Sequence, residues 1–165
     1  EMERFHELLP VGKILEVGSG SGKDAEMLKK MGYEYVGTDA SDGLIKVARK
    51  RNPKITFRNV GVHDLDFPKH EFDGFWTVAT LLHIPKNRID KALKKIKTQI
   101  KPGGIGFITM KAGVGEKEDP DTGRWFAYYS RDEFQKVLER NGYRVVEEKS
   151  SKGEKNLWLC FWVKV

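Results

Sequence analysis

A short apolar run, Lys13–Val17, leads directly into Gly18-Ser19-Gly20-Ser21-Gly22, and a helix-forming stretch, Asp24–Met31, follows at once. Three alternating glycines permit a sharp turn from a strand into a helix and let a ligand approach the backbone closely. Turns of this kind are typical of open α/β sheets, which bind ligands at the carboxyl ends of their strands. The start of the chain therefore predicts an α/β fold with a binding site at that edge.

The alternation of strand and helix continues beyond this turn. Further strands are predicted at Tyr35–Asp39, Ile55–Asn59, Phe72–Thr77 and Ile105–Lys111, and further helices at Leu44–Arg51 and Arg88–Ile100. Such alternation predicts parallel strands that are joined by right-handed crossovers.

The carboxyl-terminal part has a different order. Ser130 and Glu133 have the spacing of a capping box before a helix at Phe134–Arg140. Two strands, Tyr143–Lys149 and Leu157–Val165, then flank the polar turn Ser150–Asn156. Because a short turn joins adjacent strands in an antiparallel pair, the sheet is expected to finish with one reversed strand.

The spacing of the glycines excludes two common nucleotide loops. A phosphate-binding loop of the form Gly-x-x-x-x-Gly-Lys-Ser/Thr needs glycine at Val17 and serine or threonine at Asp24. A dinucleotide loop of the form Gly-x-Gly-x-x-Gly needs its third glycine at Lys23 rather than Gly22. The remaining pattern is acid-x-Gly-x-Gly-x-Gly, which starts at Glu16.

Asp39 ends the second predicted strand, about 20 residues beyond the glycine loop, where an acid can meet the hydroxyls of a ribose. An ionised carboxylate accepts two hydrogen bonds from a vicinal diol. The alternative is that Asp39 caps, or forms an Asx turn before, the helix that starts near Gly43.

With these motifs, the chain resembles the class I S-adenosylmethionine-dependent methyltransferases. Three later segments also resemble that family: Phe72-Asp73-Gly74-Phe75-Trp76, Leu81-Leu82-His83-Ile84-Pro85 and Ile100-Lys101-Pro102-Gly103-Gly104. The resemblance implies an α/β, Rossmann-like domain with helices on both faces of a mostly parallel, seven-stranded sheet. The implied strand order is 3-2-1-4-5-7-6, with strand 7 antiparallel.

The resemblance also implies S-adenosylmethionine as cofactor and S-adenosylhomocysteine as product. The positions implied to contact the cofactor are Glu16, Gly18, Gly20, Gly22, Asp39, Ala40, Val62, His63 and Ala79. Asp39 is expected to bind the ribose hydroxyls, and Glu16 fits the cationic amino acid end, although it is also explained as a strand-end charge. Ala79 is expected to border the methionine end.

The chain departs from the family pattern at two places. Many relatives carry an acid at the position of Gly61, whereas the nearest acid here is Asp64. Relatives also have an upstream helix that closes over the cofactor, and only Glu1–Gly12 precede the first strand. Residues 1–165 are expected to form a single methyltransferase domain, and it stays open whether residues upstream of Glu1 complete the cofactor site.

Three residues are candidates for contact with the methyl acceptor. His83 follows the fourth strand and can act as a base, because an unperturbed histidine has a pKa of about 6.5; a structural role capping the next helix is the alternative. The long segment after the fifth strand, Ala112–Gly123, suggests a lid, and it leads into aromatic residues. Arg124 and Tyr128 are the polar candidates there, and the alternative is a hydrophobic patch that holds the loop down.

Composition leaves one alternative partner open. The net charge is +6, and Lys86–Lys101 carries seven basic residues against one acid, which could indicate nucleic acid. The same segment has apolar residues at helical spacing, which favours a solvated lysine face on a helix that packs on the core. The Asn/Asp-Pro-Pro-aromatic motif, which aligns the amino group of a nucleic-acid base, is absent after the fourth strand, where Thr77-Val78-Ala79-Thr80 stands. This absence counts against a nucleic-acid acceptor.

The sequence therefore predicts a small-molecule methyltransferase. An RNA or tRNA methyltransferase and a non-catalytic S-adenosylmethionine-binding module are the alternatives. Gly123-Arg124-Trp125-Phe126 with Tyr128-Tyr129-Ser130 resembles a subgroup that is distantly similar to tellurite-resistance methyltransferases.

The remaining expectations concern location, cysteine and metal. No apolar run approaches the ~20 residues that a membrane helix needs, so a soluble, cytoplasmic protein without a membrane partner is expected. Cys160 is expected to be a packed apolar residue. His63, Asp64, Asp66 and His70 lie in a turn without a second ligand cluster, so no metal site is expected.

Overall fold

Strands and helices alternate through most of the chain. The computed structural model describes residues 1–154 and 156–165. The strands are β1 (Lys13–Val17), β2 (Glu34–Asp39), β3 (Thr56–Asn59), β4 (Phe72–Thr77), β5 (Ile100–Lys111), β6 (Glu116–Glu118), β7 (Trp125–Ala127), β8 (Arg144–Lys152) and β9 (Leu157–Lys164). The α-helices are α1 (Met2–Leu8), α2 (Ala25–Lys30), α3 (Asp42–Arg51), α4 (Ile89–Gln99) and α5 (Arg131–Arg140).

The main sheet has seven strands in the order β3-β2-β1-β4-β5-β9-β8. The pairs from β3 to β5 are parallel, whereas β9 is antiparallel to both β5 and β8. Because β6 and β7 pair only with each other, β8 and β9 are the sixth and seventh strands of this sheet. The expected order 3-2-1-4-5-7-6 with a reversed last strand is confirmed.

The sheet has an apolar core on each face, because successive side chains of a strand point to opposite sides. In β4, Phe75 packs in the core that contains residues of α4 and α5, and its neighbour Trp76 packs in the core that contains residues of α1, α2 and α3. The helices therefore cover both faces and leave the carboxyl edge of the parallel strands for a site.

Side-chain caps begin two of the helices. The backbone amide of Leu44 donates to Ser41 Oγ at the start of α3, and that of Glu133 donates to Ser130 Oγ at the start of α5. The predicted capping box is thus half formed. The Glu133 carboxylate accepts instead from Lys86 Nζ at 2.6 Å, because this charged partner reaches it from another element.

Four parts of the structure differ from the prediction. The helix α1 and the β6–β7 hairpin were not predicted, and β5 already begins at Ile100, within the predicted turn. The strand β8 extends to Lys152, and of the predicted turn Ser150–Asn156, Lys155 lies outside the described residues. Cys160 is buried, as expected. Within the described part of the chain, no helix has the length and apolar character that spanning a membrane requires.

Candidate active site

A cavity of about 770 Å³ opens at the carboxyl edge of the parallel strands. Its walls come from the β1–α2 loop, the end of β2, the turns after β3 and β4, and the start of β7. Seven of the nine positions that were expected to contact the cofactor line it: Glu16, Gly18, Gly20, Asp39, Ala40, Val62 and Ala79. The fold thus gathers residues that are far apart in sequence at one site.

Glycine is required in the β1–α2 loop for two different reasons. Gly18 and Gly20 both have positive φ angles, +75° and +53°, which disfavour other residues. A Cβ atom on Gly18 would lie 2.0 Å from Thr80 Oγ1, so Gly18 permits the loop to pack on the turn after β4. A Cβ atom on Gly20 would meet no atom within 4 Å, because this position faces the open cavity.

Two expected contact residues do not line the cavity. Gly22 is buried, and a Cβ atom there would lie 2.9 Å from both Asn52 Nδ2 and Phe57 Cζ, so this glycine lets the loop pack on the region of α3 and β3. His63 is half-buried in a short 3₁₀ turn, and unlike its neighbour Val62 it is not among the residues that line the cavity. Its Nδ1 has no hydrogen-bond partner among the described residues, and burial lowers its pKa.

Asp39 holds the glycine loop and the start of α3 together. Its Oδ2 accepts from the Gly20 amide at 2.9 Å, and its Oδ1 accepts from the Ser41 amide at 2.8 Å, which is an Asx turn. The helix cap itself is Ser41. Since each carboxylate oxygen has two lone pairs, Asp39 can still accept a hydrogen bond from a ligand on each of its oxygens.

Glu16 is a buried carboxyl group in the wall of the cavity. Its side chain accepts a hydrogen bond from the Tyr35 hydroxyl, and only 3% of the residue is exposed. Burial raises its pKa to about 8; the bond from Tyr35 opposes this rise, and the negative charges of Asp24 and Asp39 add to it. The group is therefore mostly protonated at neutral pH, and a nearby cation would favour its ionised form.

Ala79 lies in the turn after β4 and has a φ angle of +52°, which is uncommon for a residue with a side chain. Its amide donates to Thr109 Oγ1 on β5 at 2.9 Å. The hydroxyl of the next residue, Thr80, lies within donating distance of the Val78 carbonyl at 3.1 Å and of the Gly18 carbonyl at 3.3 Å. These contacts hold the turn against β5 and the glycine loop at the point where it borders the cavity.

His83 lines the cavity, and its tautomer follows from one contact. Nδ1 lies 2.8 Å from the backbone carbonyl oxygen of Trp125, which can only accept, so Nδ1 carries the proton. In the neutral ring, Nε2 is therefore an acceptor. Burial lowers the pKa of His83, which keeps the ring neutral at neutral pH. His83 does not cap α4, because the N-cap residue of that helix is Arg88.

The β6–β7 hairpin occupies the segment that was expected to be a loop. The Trp125 indole donates to Glu116 Oε2 at 3.0 Å, and the Lys86 amide donates to the same oxygen at 2.8 Å. Glu116 therefore ties the hairpin to the segment that precedes α4. The strand pairing was not evident from the sequence, because β6 and β7 have only three residues each and those of β6 are all charged and exposed.

The hairpin brings one of its two polar candidates to the cavity. Arg124 is exposed and lines it. Tyr128 does not line the cavity. Its side chain packs closely on Gly113, where an added Cβ atom would lie 3.0 Å from Tyr128 Cβ, and its ring stacks near Phe126. The neighbouring Tyr129 is buried against Phe134. Tyr128 and Tyr129 thus pack against the protein, whereas Arg124 and Trp125 line the cavity.

Two of the four residues that could suggest a metal site, Asp66 and His70, have other partners. Asp66 pairs with Arg58 at 2.7 Å, and His70 Nδ1 lies 2.9 Å from the Ile100 carbonyl oxygen. Among residues 1–154 and 156–165, no group of three or more His, Cys, Asp and Glu side chains could hold a metal ion.

Comparison with known proteins identifies the family of this fold. Residues 14–104 match the family model described as "Methyltransferase domain". The chain is 27% identical to phosphoethanolamine N-methyltransferase of Plasmodium falciparum over 85% of its length, which is 50% of that protein. It is 31% identical to ubiquinone biosynthesis O-methyltransferase of Mesorhizobium japonicum over 61% of its length and 43% of that protein. The chain therefore spans about half the length of these curated relatives.

A solved structure has nearly the same extent as this chain. A SAM-dependent methyltransferase from Methanosarcina mazei superposes with a TM-score of 0.88 over 98% of this chain and 96% of that one, at 19% identity. At this identity the likeness establishes the fold. The narrower resemblance to tellurite-resistance methyltransferases is not tested by these relatives and stays a prediction.

Proposed function

The chain belongs to the methyltransferase domain family, and we propose that it is an S-adenosylmethionine-dependent enzyme that methylates a small molecule. The observation that carries this proposal is the cavity at the carboxyl edge, where the glycine loop, Asp39 and the buried Glu16 meet. We also propose that residues 1–165 act as one methyltransferase domain.

The residues of the cavity fit S-adenosylmethionine. The open space at Gly20 admits a ligand against the backbone, and Asp39 keeps a free lone pair on each oxygen for a ribose diol. Ala40 and Val62 supply an apolar surface for a base. Glu16, being buried and uncharged at neutral pH, favours the sulfonium and ammonium groups of this ligand by releasing its proton.

When bound, the cofactor supplies a methyl group on a sulfonium: the acceptor lone pair forms the new bond to carbon, and the electron pair of the breaking carbon–sulfur bond stays on sulfur. The protein then has to align the two partners and exclude water. The turn around Ala79 is suited to alignment, because bonds to β5 and to the glycine loop hold it. The hairpin covers one side of the cavity.

His83 is the proposed general base. Its Nε2 takes the proton that the acceptor loses, while the Trp125 carbonyl holds the proton on Nδ1 and fixes the ring. The lowered pKa keeps the ring unprotonated at neutral pH. Arg124, which lines the same side of the cavity, is proposed to contact the acceptor.

A small-molecule acceptor is favoured over nucleic acid. The names of the two curated relatives refer to phosphoethanolamine and to ubiquinone biosynthesis, which concern small molecules. On α4, Leu93 and Ile96 are buried in the core, and no lysine of this helix is among the described residues that line the cavity. This arrangement supports a solvated lysine face rather than a nucleic-acid channel.

Two measurements test the proposal. Calorimetry should give tighter binding of S-adenosylhomocysteine than of NAD, because the third glycine lies at position 22; equal or tighter binding of NAD would refute the cofactor assignment. Release of S-adenosylhomocysteine from S-adenosylmethionine is then followed with a metabolite pool and, separately, with total RNA. Release only with RNA would favour the nucleic-acid alternative, and none with either, despite cofactor binding, would favour a non-catalytic module.

The role of His83 has its own test. His83→Asn should lower turnover by about 10²–10⁴-fold while the affinity for S-adenosylhomocysteine stays within about twofold. His70→Asn is the matched control, because His70 lies away from the cavity and asparagine tolerates its positive φ angle. Turnover of His83→Asn equal to that of the control would exclude a role as base.

A further inference from the structure

A second cavity, of about 700 Å³, lies beside the candidate cofactor cavity. The two share Asp24, Val78 and Ala79 in their linings, so they meet at the turn after β4. The resemblance to methyltransferases puts the methionine end of the cofactor at this turn. A molecule in the second cavity therefore has direct access to the place where a methyl group would be presented.

The walls of the second cavity are mostly apolar and include three aromatic side chains. Trp76 on β4 and Phe107 on β5 are buried and stack with their ring centroids 4.2 Å apart. Trp158 and Cys160 on β9 extend this surface, and Met27 on α2 lies at its edge with 52% of the residue exposed. Burial raises the pKa of the Cys160 thiol to about 11, so the thiol is uncharged at neutral pH.

The polar groups of this cavity disfavour an anion. The Trp76 indole donates to Asp24 Oδ2 at 2.9 Å, so its only donor is already used. The charged side chains of the described lining are carboxylates, including Asp24 and Glu3, and none is lysine or arginine. A phosphate or carboxylate group on a ligand would therefore meet like charge, and no lysine or arginine side chain of the described lining could pair with it.

We infer that the second cavity binds the body of the methyl acceptor, and that this acceptor is a flat, apolar ring compound without an anionic group on the part that enters. Its oxygen or nitrogen nucleophile then lies at Ala79, where the two cavities meet. An aromatic ring gains burial over Trp76 and Phe107, which are only 2% and 1% exposed, and can stack on Trp158, which is half-buried. The flexible Met27 can adapt to the edge of the ring. This inference rests on the proposed methyltransferase function and goes further by naming the class of acceptor.

The side from which the acceptor reaches the shared turn distinguishes this inference from one in which the acceptor contacts only the hairpin. His83 and Arg124 line only the cofactor cavity, so they approach the shared turn from the opposite side. A polar, non-aromatic acceptor such as ethanolamine would need only that side. A ring compound uses the second cavity, and its affinity depends on residues that do not touch the cofactor.

The test uses 2-naphthol, which has two fused rings and one hydroxyl group, in calorimetric titrations of protein saturated with S-adenosylhomocysteine. Met27→Glu puts a charge in the apolar wall, and Trp158→Ala removes part of it; each should weaken 2-naphthol binding by about tenfold or more. The affinity for S-adenosylhomocysteine should stay within about twofold in both variants. Because Met27 is exposed, the first variant keeps the test valid if Trp158→Ala fails to fold.

Val47→Glu and Leu157→Ala are the matched controls, since both residues are exposed and line neither cavity. The inference is overturned if the cofactor-saturated wild type does not bind 2-naphthol, if Met27→Glu binds it as the controls do, or if 2-naphthol displaces S-adenosylhomocysteine. Failure of S-adenosylhomocysteine to bind would instead contradict the proposed function. In that case the titration of 2-naphthol into free protein still tests the second cavity.

Discussion

The buried carboxyl group of Glu16 leads to a stability prediction that needs no substrate. Replacing it by glutamine keeps the shape of the protonated acid and leaves an amide oxygen to accept from the Tyr35 hydroxyl. The variant cannot ionise. We therefore expect Glu16→Gln to have about the same stability as the wild type in acid and to become the more stable of the two as the pH rises.

The sign and size follow from the pKa of Glu16. Its value of about 8 in the folded protein is above the ordinary 4.5, so between these values the folded chain holds a proton that the unfolded chain has lost. The stability that this proton confers is full below the ordinary pKa and is lost as the pH rises towards 8. The loss is about 1.4 kcal/mol per pH unit, or about 3 kcal/mol between about pH 5.5 and about pH 7.5.

Urea unfolding of both proteins at several pH values measures this difference. Other groups that titrate in this range, such as His63 and His83, contribute equally to both proteins and cancel in the comparison. Glu34→Gln is the control, because Glu34 is exposed at the start of β2. Parallel curves of unfolding free energy against pH for wild type and Glu16→Gln would refute the reasoning, since they would mean that Glu16 is ionised throughout.

Three further predictions concern the ligand sites. Binding of S-adenosylmethionine near neutral pH should release protons, because a bound cation lowers the pKa of Glu16; calorimetry detects the release as an enthalpy that depends on the buffer. Glu16→Gln should remove most of this proton release, and an unchanged release would contradict the role given to Glu16. Asp39→Ala should weaken S-adenosylhomocysteine binding by ~1.5–3 kcal/mol with the fold intact, whereas Asp42→Ala, an exposed position at the start of α3, should not. A large drop in melting temperature with unchanged binding would mean that the role of Asp39 is purely structural. Arg124→Ala should lower turnover more than cofactor affinity, whereas Tyr128→Phe should change neither, because Tyr128 does not line the cavity. Wild-type turnover in Arg124→Ala would mean that the acceptor binds elsewhere.

Local patterns were sufficient to predict most of the sheet. The glycine loop, the strand and helix alternation and the two final strands determine the order of the main elements, because each depends on residues that are close in the chain. Ser130 was predicted as a helix cap for the same reason. By contrast, α1 has only seven residues and one buried side chain, Phe5, so its pattern is too short to indicate a helix.

The candidate site was predictable only in its backbone framework. Asp39 and the loop glycines were found from their spacing, but Gly22 faces the core because of contacts with α3 and β3. The raised pKa of Glu16 results from its burial in the folded protein, and the tautomer of His83 depends on Trp125, which is remote in sequence. The aromatic cavity is likewise formed by strands that come together only in the folded sheet.

The bond between His83 and the Trp125 carbonyl joins the proposed base to the hairpin that covers the cavity. If the hairpin lifts, the ring loses both its burial, which lowers its pKa, and the Trp125 carbonyl, which raises that pKa and holds the proton on Nδ1. The imidazole is then free to change tautomer, so that Nε2 is no longer fixed as the accepting nitrogen. Opening of the hairpin would therefore admit solvent and release the orientation of the proposed base in one movement.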